Sequence, residues 1–269
     1  FGVVVQAFGQ RAGYVIDWLG DFATRADRKL MVRLVKGAYW DSEIKRAQVL
    51  GLDGFPVFPA KPHTDVSYIA NARKLLGLTD RLYPQFATHN AHTVAAILHL
   101  ADDMGVSAKS YEFQRLHGMG ETLHKIVLKD NATNCRIYAP VGAHEDLLAY
   151  LVRRLLENGA NSSFVNQIVD ENVPPEVVAA DPFDQIGVTP NLPKGPDLFA
   201  PHRANAKGWD ITHRPTLVEI DKARDPFHAH VWDATPLSSA WSNAANAKAR
   251  DVVNPAVPSD TVGNIVFAT

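Results

Sequence analysis

Short apolar runs alternate with segments of helical spacing along the first part of the chain, and this alternation constrains the fold more than any other feature. Five runs predict strands, at residues 3–7, 31–35, 83–88, 110–114 and 135–139. Segments with helical apolar spacing lie between and after them, at 10–24, 41–50, 65–76, 91–104, 121–128 and 145–158. Strands separated by helices need crossover connections, so we predict an α/β fold with a parallel sheet.

Polar residues where these strands end favour a barrel over an open doubly wound sheet. They are Gln6, Lys36, His89, Gln114 and Tyr138. Enzymes with a (β/α)8 barrel carry their chemistry at this end of the strands. Because five strands cannot close a barrel of eight, we predict an incomplete (β/α)8 TIM-like barrel with about the last five strands.

The sequence changes character after Val169. Prolines recur between 174 and 196 without a helical or strand period, which predicts a linker or extended arm. A weak helical pattern at 240–250 precedes two apolar runs, at 252–255 and 260–266, that predict one hairpin of another domain. The predicted divisions are a barrel part at 1–172, a linker or arm at 173–250 and a truncated domain at 251–269.

Composition excludes several classes of protein. The net charge of −2 is spread over both signs, without the basic patch that nucleic-acid binding requires. The single cysteine, Cys135, excludes a disulfide framework and a thiolate zinc cluster, and it fits a reducing cytoplasm. No HxxxH or HExxH spacing occurs among the 11 histidines, so we predict no metal site. No apolar run approaches the roughly 18 residues of a membrane span.

Tyr150, Arg153, Arg154 and Glu157 stand at i, i+3, i+4 and i+7 and therefore share one stripe of the last helix. Two adjacent guanidinium groups beside a barrel mouth suit a carboxylate or phosphate. The alternative is a solvated face on which Glu157 pairs with an arginine.

Strand ends supply further candidates. The segment 33–40 ends a strand in Arg33 and Lys36 and continues with Gly37 and two aromatic residues, which suits a planar anionic cofactor. A basic turn whose aromatic residues pack the barrel end is the alternative. His89, Leu116 and Tyr138 reach the same rim. With no GxSxG motif and with Cys135 at a strand start, the residues suit a bound cofactor better than a covalent nucleophile.

The segments 33–40, 86–92, 111–120, 136–142 and 148–164 together resemble proline dehydrogenase, and closely the bifunctional proline utilization A family. This resemblance implies a distorted (β/α)8 barrel that holds FAD and oxidises L-proline to Δ1-pyrroline-5-carboxylate, the first step of proline catabolism. The stretch 254–269 resembles the entry into the aldehyde dehydrogenase-like domain of that family. L-glutamate gamma-semialdehyde dehydrogenase activity with NAD is expected only from the missing remainder of that domain.

The resemblance also implies roles for individual residues. Arg33, Tyr138, Arg153 and Arg154 are the expected catalytic residues. Both arginines of the last helix bind the proline carboxylate, and the pocket is completed by Tyr39, Leu116, Tyr138, Tyr150 and Glu157. The expected FAD residues are Gln6, Arg33, Lys36, Gly37, Ala38, Trp40, Lys61, Thr64, Thr88, His89, Asn90, Gln114, Leu116 and Ser163.

Further expectations concern the whole protein. The early barrel strands of the family carry a lysine and an aspartate that have no counterpart here, so the fragment alone is expected to be inactive. The resemblance implies a homo-oligomer in the cytoplasm that associates peripherally with the membrane and passes electrons to a membrane quinone. Two other functions remain open: a phosphate-binding barrel lyase or aldolase with Lys36 as Schiff base, and a non-catalytic anion-binding domain.

Overall fold

The computed structural model describes residues 2–159, 172–187, 190–237 and 248–267, with the backbone alone for 155–159, 175 and 178. The chain divides into two compact units, residues 1–208 and 209–269. Within the described residues, no helix is both long and apolar enough to cross a membrane.

The first unit is built on a five-stranded parallel sheet in the order β1-β2-β3-β4-β5. Its strands are β1 Gly2–Gln6, β2 Leu30–Val35, β3 Leu82–Ala87, β4 Glu112–Leu116 and β5 Asn134–Tyr138. Its main helices are α1 Ala12–Arg25, α2 Trp40–Val49, α3 Lys61–Leu76, α4 Ala91–Asp103, α5 Glu121–Asn131 and α6 His144–Gly159. The predicted α/β fold with a parallel sheet is confirmed.

The fourth strand was predicted two residues too early. Ser110 N–H donates to the Ser107 carbonyl (2.8 Å), so residues 107–110 form a turn rather than a strand. Pairing with β3 begins at Glu112, which lies opposite Gln85. Tyr111 is buried next to β4 without belonging to it, which explains why the strand was predicted to begin too early.

The two faces of the sheet differ in chemistry. Leu30, Val32 and Leu34 alternate along β2 on the face that the helices cover, and all three are buried in the main core. Arg33, between them, faces the opposite side because successive strand residues point to opposite faces. On β4 the same alternation puts Phe113 in the core and leaves Glu112, Gln114 and Leu116 on the other side. We call this second, polar side of the sheet the open face.

Within the first unit, residues 192–208 cross the end of α2. Gly195 N–H donates to the Leu52 carbonyl (3.1 Å), and Gly208 N–H donates to the Gly51 carbonyl (2.8 Å). The Gln48 side chain donates to the Pro193 carbonyl (2.8 Å). This part of the predicted linker is therefore fastened to the α/β unit. Helix α7 Pro175–Val178 and a 3-10 turn at Pro182–Gln185 precede the segment 192–208, and a second 3-10 turn at Gly195–Asp197 lies within it.

The second unit contains helix α8 Arg214–Arg224, a further 3-10 turn at Asp225–Phe227, and strands β6 Trp232–Ala234, β7 Arg250–Asn254 and β8 Val257–Ile265. The strand order is β6-β8-β7, with β7 and β8 antiparallel, so the predicted hairpin is present. Helix α8 was not predicted, and none of its residues is buried. The division at 208/209 falls inside the predicted linker 173–250, and most of the predicted helical pattern at 240–250 lies outside the described residues.

The crossing at Gly51 should not tolerate added side-chain atoms. A Cβ at Gly195 would stand 2.6 Å from the Gly51 Cα, so Gly195→Ala must separate two backbone segments. We expect a loss of about 1 to 3 kcal/mol in the free energy of unfolding, measured by urea denaturation. Gly54→Ala is the matched control, since a Cβ there meets nothing within 4 Å. Equal stability of the two variants would contradict the backbone contact.

Candidate active site

An arginine, a glutamine and a tyrosine meet on the open face near the carboxyl ends of the strands. Arg33 Nε donates to Gln114 Oε1 (2.8 Å), and the Arg33 guanidinium carbon lies 4.8 Å from the centre of the Tyr138 ring. Burial raises the pKa of the Tyr138 hydroxyl although Arg33 opposes that shift, so the phenol is neutral at pH 7. The site therefore presents a cation beside an uncharged hydroxyl.

One carboxylate organises the polar residues beneath this pair. Glu112 Oε1 accepts from Gln85 Nε2 (2.7 Å) and Gln114 Nε2 (2.9 Å). Arg136 binds both carboxylate oxygens, with Nε to Oε1 at 2.7 Å and a terminal nitrogen to Oε2 at 2.9 Å. Burial acts to raise the pKa of Glu112, but these hydrogen bonds outweigh it and hold the pKa below its ordinary value. Glu112 is therefore ionised at neutral pH.

Helix α6 brings two arginines to this end of the sheet. The Arg153 guanidinium carbon lies 5.4 Å from the centre of the Tyr39 ring, and that of Arg154 lies 5.3 Å from the centre of the Tyr150 ring. These cation–π contacts orient both cations without neutralising them. Arg154 also acts on the pKa of Tyr138, so the helix and the end of β5 are neighbours. The Glu157 side chain and Ser163 lie outside the described residues.

Two histidines, His89 just after β3 and His124 in the first turn of α5, are held in opposite tautomers. His89 Nε2 accepts from the Leu116 backbone N–H (3.0 Å), so its proton is on Nδ1. His124 Nε2 contacts the Thr88 carbonyl (3.0 Å) and must donate to it. His124 is 1% exposed, and its Nδ1 has no hydrogen-bond partner among the described residues. Burial, followed by the charges of His124 and the nearby arginines, lowers the pKa of His89 to about 4.

A second group of charges lies between the end of β2 and the start of α3. Asp65 binds the ammonium groups of Lys36 and Lys61, the latter at 2.8 Å. Burial lowers the pKa of Lys36 although Asp65 opposes the shift. Burial acts to raise the pKa of Asp65, but the two lysines outweigh it and keep the pKa low. Thr64 lies in the same first turn of α3.

The remaining predicted cofactor residues have local structural partners. Gly37 has φ of 132°, and a Cβ there would stand 2.5 Å from the Phe8 ring, so glycine is required whether or not a ligand is bound. Trp40 Nε1 donates to the Phe58 carbonyl (3.0 Å). Asn90 caps α4 by accepting from Thr93 N–H (2.9 Å). The other three predicted cofactor residues lie at or near strand ends. Gln6 ends β1, Ala38 follows Gly37 in the loop, and Thr88 is buried after β3.

Contacts thus join the predicted residues into two groups. One surrounds Arg33 and contains His89, Gln114, Leu116, Tyr138, Tyr150 and Arg154, and α6 carries the Arg153–Tyr39 pair next to Arg154. The other consists of Lys36 and Lys61 around Asp65. Sequence reasoning missed Asp65, Gln85 and His124, and it used Glu112 and Arg136 only as parts of motifs. The available signal was the two-residue alternation of Glu112 and Gln114 in a buried strand.

This inventory supports anion binding and cofactor chemistry rather than covalent catalysis by the protein. The arginines, the neutral Tyr138 phenol and the imidazole Nδ1–H of His89 are all donors. The Cys135 thiol has a pKa raised by burial, which disfavours the thiolate that a nucleophile needs. Among the described residues, no group of three or more His, Cys, Asp or Glu side chains could hold a metal ion.

The lowered pKa of His89 predicts an acid-sensitive stability. The unfolded chain takes up a proton below about pH 6.5, whereas the folded protein does so only near pH 4, so stability falls as the pH drops between these values. Between pH 7 and pH 5 we expect wild type to lose about 2 kcal/mol more than His89→Gln, measured by urea denaturation. Exposed His117→Gln is the control and should behave as wild type. An unchanged pH dependence in His89→Gln would refute the buried neutral imidazole.

Comparison with known proteins gives a consistent family. A family model described as proline dehydrogenase matches residues 1–167. The bifunctional protein PutA of Klebsiella aerogenes is 49% identical over an alignment of 280 positions that covers 98% of this chain and 21% of that protein.

Solved structures agree. A mutant of proline utilization A (PutA) from Bradyrhizobium japonicum is 53% identical, with a TM-score of 0.77 over 88% of this chain and 24% of that one. PutA from Bdellovibrio bacteriovorus inactivated by N-propargylglycine is 31% identical, with a TM-score of 0.79 over 100% of this chain and 28% of that one.

The chain spans between about a fifth and about a quarter of the length of these relatives. The family match covers more than half of the chain and includes the whole five-stranded sheet, its open face and α6. This chain therefore belongs to the proline dehydrogenase family and corresponds to the proline dehydrogenase region of the bifunctional PutA proteins.

Proposed function

We propose that this chain forms part of an FAD-dependent proline dehydrogenase that oxidises L-proline to Δ1-pyrroline-5-carboxylate within a longer bifunctional protein. The observation that carries the proposal is the paired guanidinium group of α6, with Arg153 on Tyr39 and Arg154 on Tyr150, beside the Arg33–Tyr138 pair of the open face. Cations, aromatic walls and a neutral hydroxyl converge there.

Proline suits this arrangement as a substrate. Its carboxylate can accept hydrogen bonds from both Arg153 and Arg154, which are partly buried and oriented by aromatic rings. Tyr138, Tyr150 and Leu116 offer an apolar wall for the pyrrolidine ring. N-propargylglycine, which inactivated a relative, is likewise an amino acid with a secondary amine and a free carboxylate.

The residues also fit FAD. His89 presents Nδ1–H as a donor because Nε2 already accepts from Leu116, and Arg33 remains a cation fixed by a neutral amide. Lys36 and Lys61 offer ammonium groups for the phosphates, and Gln6, Thr88, Asn90 and Gln114 offer further polar groups near the strand ends. When bound, FAD supplies the acceptor for the two electrons that leave the proline ring. The protein's part is to orient the substrate and to provide positive charge where negative charge develops.

The wider proposal concerns the longer protein. We propose that the five parallel strands are part of a (β/α)8 barrel whose other strands supply a lysine and an aspartate to the pocket. Residues 251–269 would begin an aldehyde dehydrogenase-like domain, after the barrel part at 1–172 and an arm at 173–250, and that domain would use NAD. Homo-oligomer formation, peripheral membrane association of a cytoplasmic protein and electron transfer to a membrane quinone complete the proposal. Its support is the similarity to proteins described as bifunctional PutA.

A lyase that forms a Schiff base on Lys36 is the competing function. The lowered pKa of Lys36 favours it, since an uncharged amine is the nucleophile. The ion pair with Asp65 disfavours it, because that contact stabilises the ammonium form. Borohydride trapping of a substrate on Lys36, with no flavin in the purified protein, would support the lyase.

Proline should bleach the visible flavin spectrum of the full-length protein under anaerobic conditions. In Arg153→Met and in Arg154→Met we expect the proline concentration needed for half-maximal bleaching to rise about ten- to hundredfold, because each variant loses a charge-assisted hydrogen bond to the carboxylate. Exposed Arg73→Met on α3 is the matched control and should bleach as wild type does.

Two results would count against the proposal. A full-length protein that takes up no FAD would remove the flavoenzyme function. Bleaching that is unaffected by both arginine substitutions would leave the dehydrogenase in place but remove α6 as the carboxylate-binding helix.

A further inference from the structure

The buried carboxylate of Glu112 has no role in the proposed reaction so far, although it binds three side chains of the open face. We infer that Glu112 is a positioning residue which, acting through Gln114, holds the Arg33 guanidinium beside Tyr138 at the reacting end of the site. The inference rests on the proposed function, in which Arg33 lies near the reacting atoms.

The chemistry of the carboxylate fixes the direction of the hydrogen-bond chain. An ionised carboxylate only accepts, so the Gln114 amide must turn its NH2 group toward Glu112, as it does at 2.9 Å. The carbonyl oxygen of the same amide then faces Arg33, and it accepts from Arg33 Nε at 2.8 Å. A neutral amide at position 112 both donates and accepts, so it would allow Gln114 to turn around and present NH2 to the arginine.

Glu112 is itself held on both sides. Gln85 donates to it from β3, and Arg136 binds both of its oxygens from β5. Its side chain is 5% exposed, so the carboxylate is a buried anchor. Charge-assisted and bidentate hydrogen bonds of this kind are the strongest that side chains form. The Glu112 carboxylate is therefore held by four hydrogen bonds, whereas Arg33 Nε is held by the one to Gln114.

A relay through a neutral amide has a specific advantage over a direct ion pair. Within the described residues Arg33 forms no salt bridge, and its hydrogen-bond acceptor is the uncharged Gln114 amide. A direct contact with a carboxylate would fix Arg33, but it would also offset the positive charge that attracts a bound anionic group. With Gln114 interposed, Arg33 is fixed and keeps its charge. The negative charge that orders the network stays one side chain away.

The test is Glu112→Gln in the full-length protein, with exposed Glu219→Gln on α8 as the matched control. We expect FAD content to be retained and the rate of flavin reduction at saturating proline to fall about ten- to a hundredfold, since small misplacements have effects of that size. The crystal structure of the variant should have Arg33 Nε displaced from Gln114 Oε1, which are 2.8 Å apart here. Glu219→Gln should match wild type in both measurements.

A double variant separates positioning from a general effect on the fold. Because Glu112 acts through Arg33, adding Glu112→Gln to Arg33→Met should lower the reduction rate little further. An equal fall in the wild-type and Arg33→Met backgrounds would overturn the inference.

Arg136→Met provides a second route if Glu112→Gln does not fold. It removes the bidentate contact to the same carboxylate, and its smaller fall in rate should likewise disappear in the Arg33→Met background. If it does not disappear, the inference is wrong.

Failure of the proposed function gives a different result. In that case proline leaves the flavin of wild type and of Glu219→Gln unbleached, and the inference fails with it. When wild type bleaches normally but Glu112→Gln lowers the reduction rate equally in wild type and in Arg33→Met, the inference alone fails.

Discussion

The alternation of side chains between the two faces of the parallel sheet is the constraint on which the rest of the α/β unit depends. One set of alternate positions must be apolar, because the helices cover it, and Val32, Leu34, Phe86 and Phe113 satisfy that requirement with no measurable exposure. The other set is thereby free to carry polar groups. Arg33, Glu112 and Gln114 use that freedom. The hydrogen bond from Arg33 to Gln114 joins β2 to β4, and the one from Gln114 to Glu112 runs along β4.

Buried polar groups on the open face are tolerable only because their hydrogen bonds are made. Glu112 has its lone pairs directed at Gln85, Gln114 and Arg136. A buried carboxylate without such partners would shift its pKa upward and take up a proton. The histidines solve the same problem in the opposite way, since His89 stays neutral among arginines. The site therefore combines fixed charges with uncharged donors, and each state follows from burial and its neighbours.

Much of this organisation can be predicted from the sequence, and the parts that cannot share a cause. Apolar periodicity depends on burial, so it located the five strands of the first unit and its main helices. It missed α8, which buries nothing, and it started β4 at the turn before Glu112.

The candidate site residues likewise divide into those that the local sequence predicts and those that it does not. Arg33, His89 and Tyr138 were predictable because they lie in or directly after a strand. Asp65 and His124 were not, since their significance comes from partners far away in the sequence. Glu112 falls between these cases: its alternation with Gln114 was visible, but its pairing with Arg136 across strands was not.

Helix α2 is contacted near both ends by segments that come after β5. At its start, Arg153 of α6 lies over the ring of Tyr39. Just past its end, the backbone of Gly195 and Gly208 lies against the residues at 51 and 52. Ten helical residues rise about 15 Å. The length of α2 therefore sets the distance between its contact with α6 and its contact with residues 192–208. Adding or removing a single residue in α2 would turn one end by about 100° relative to the other, so the length of this helix is as tightly specified as the residues at its ends.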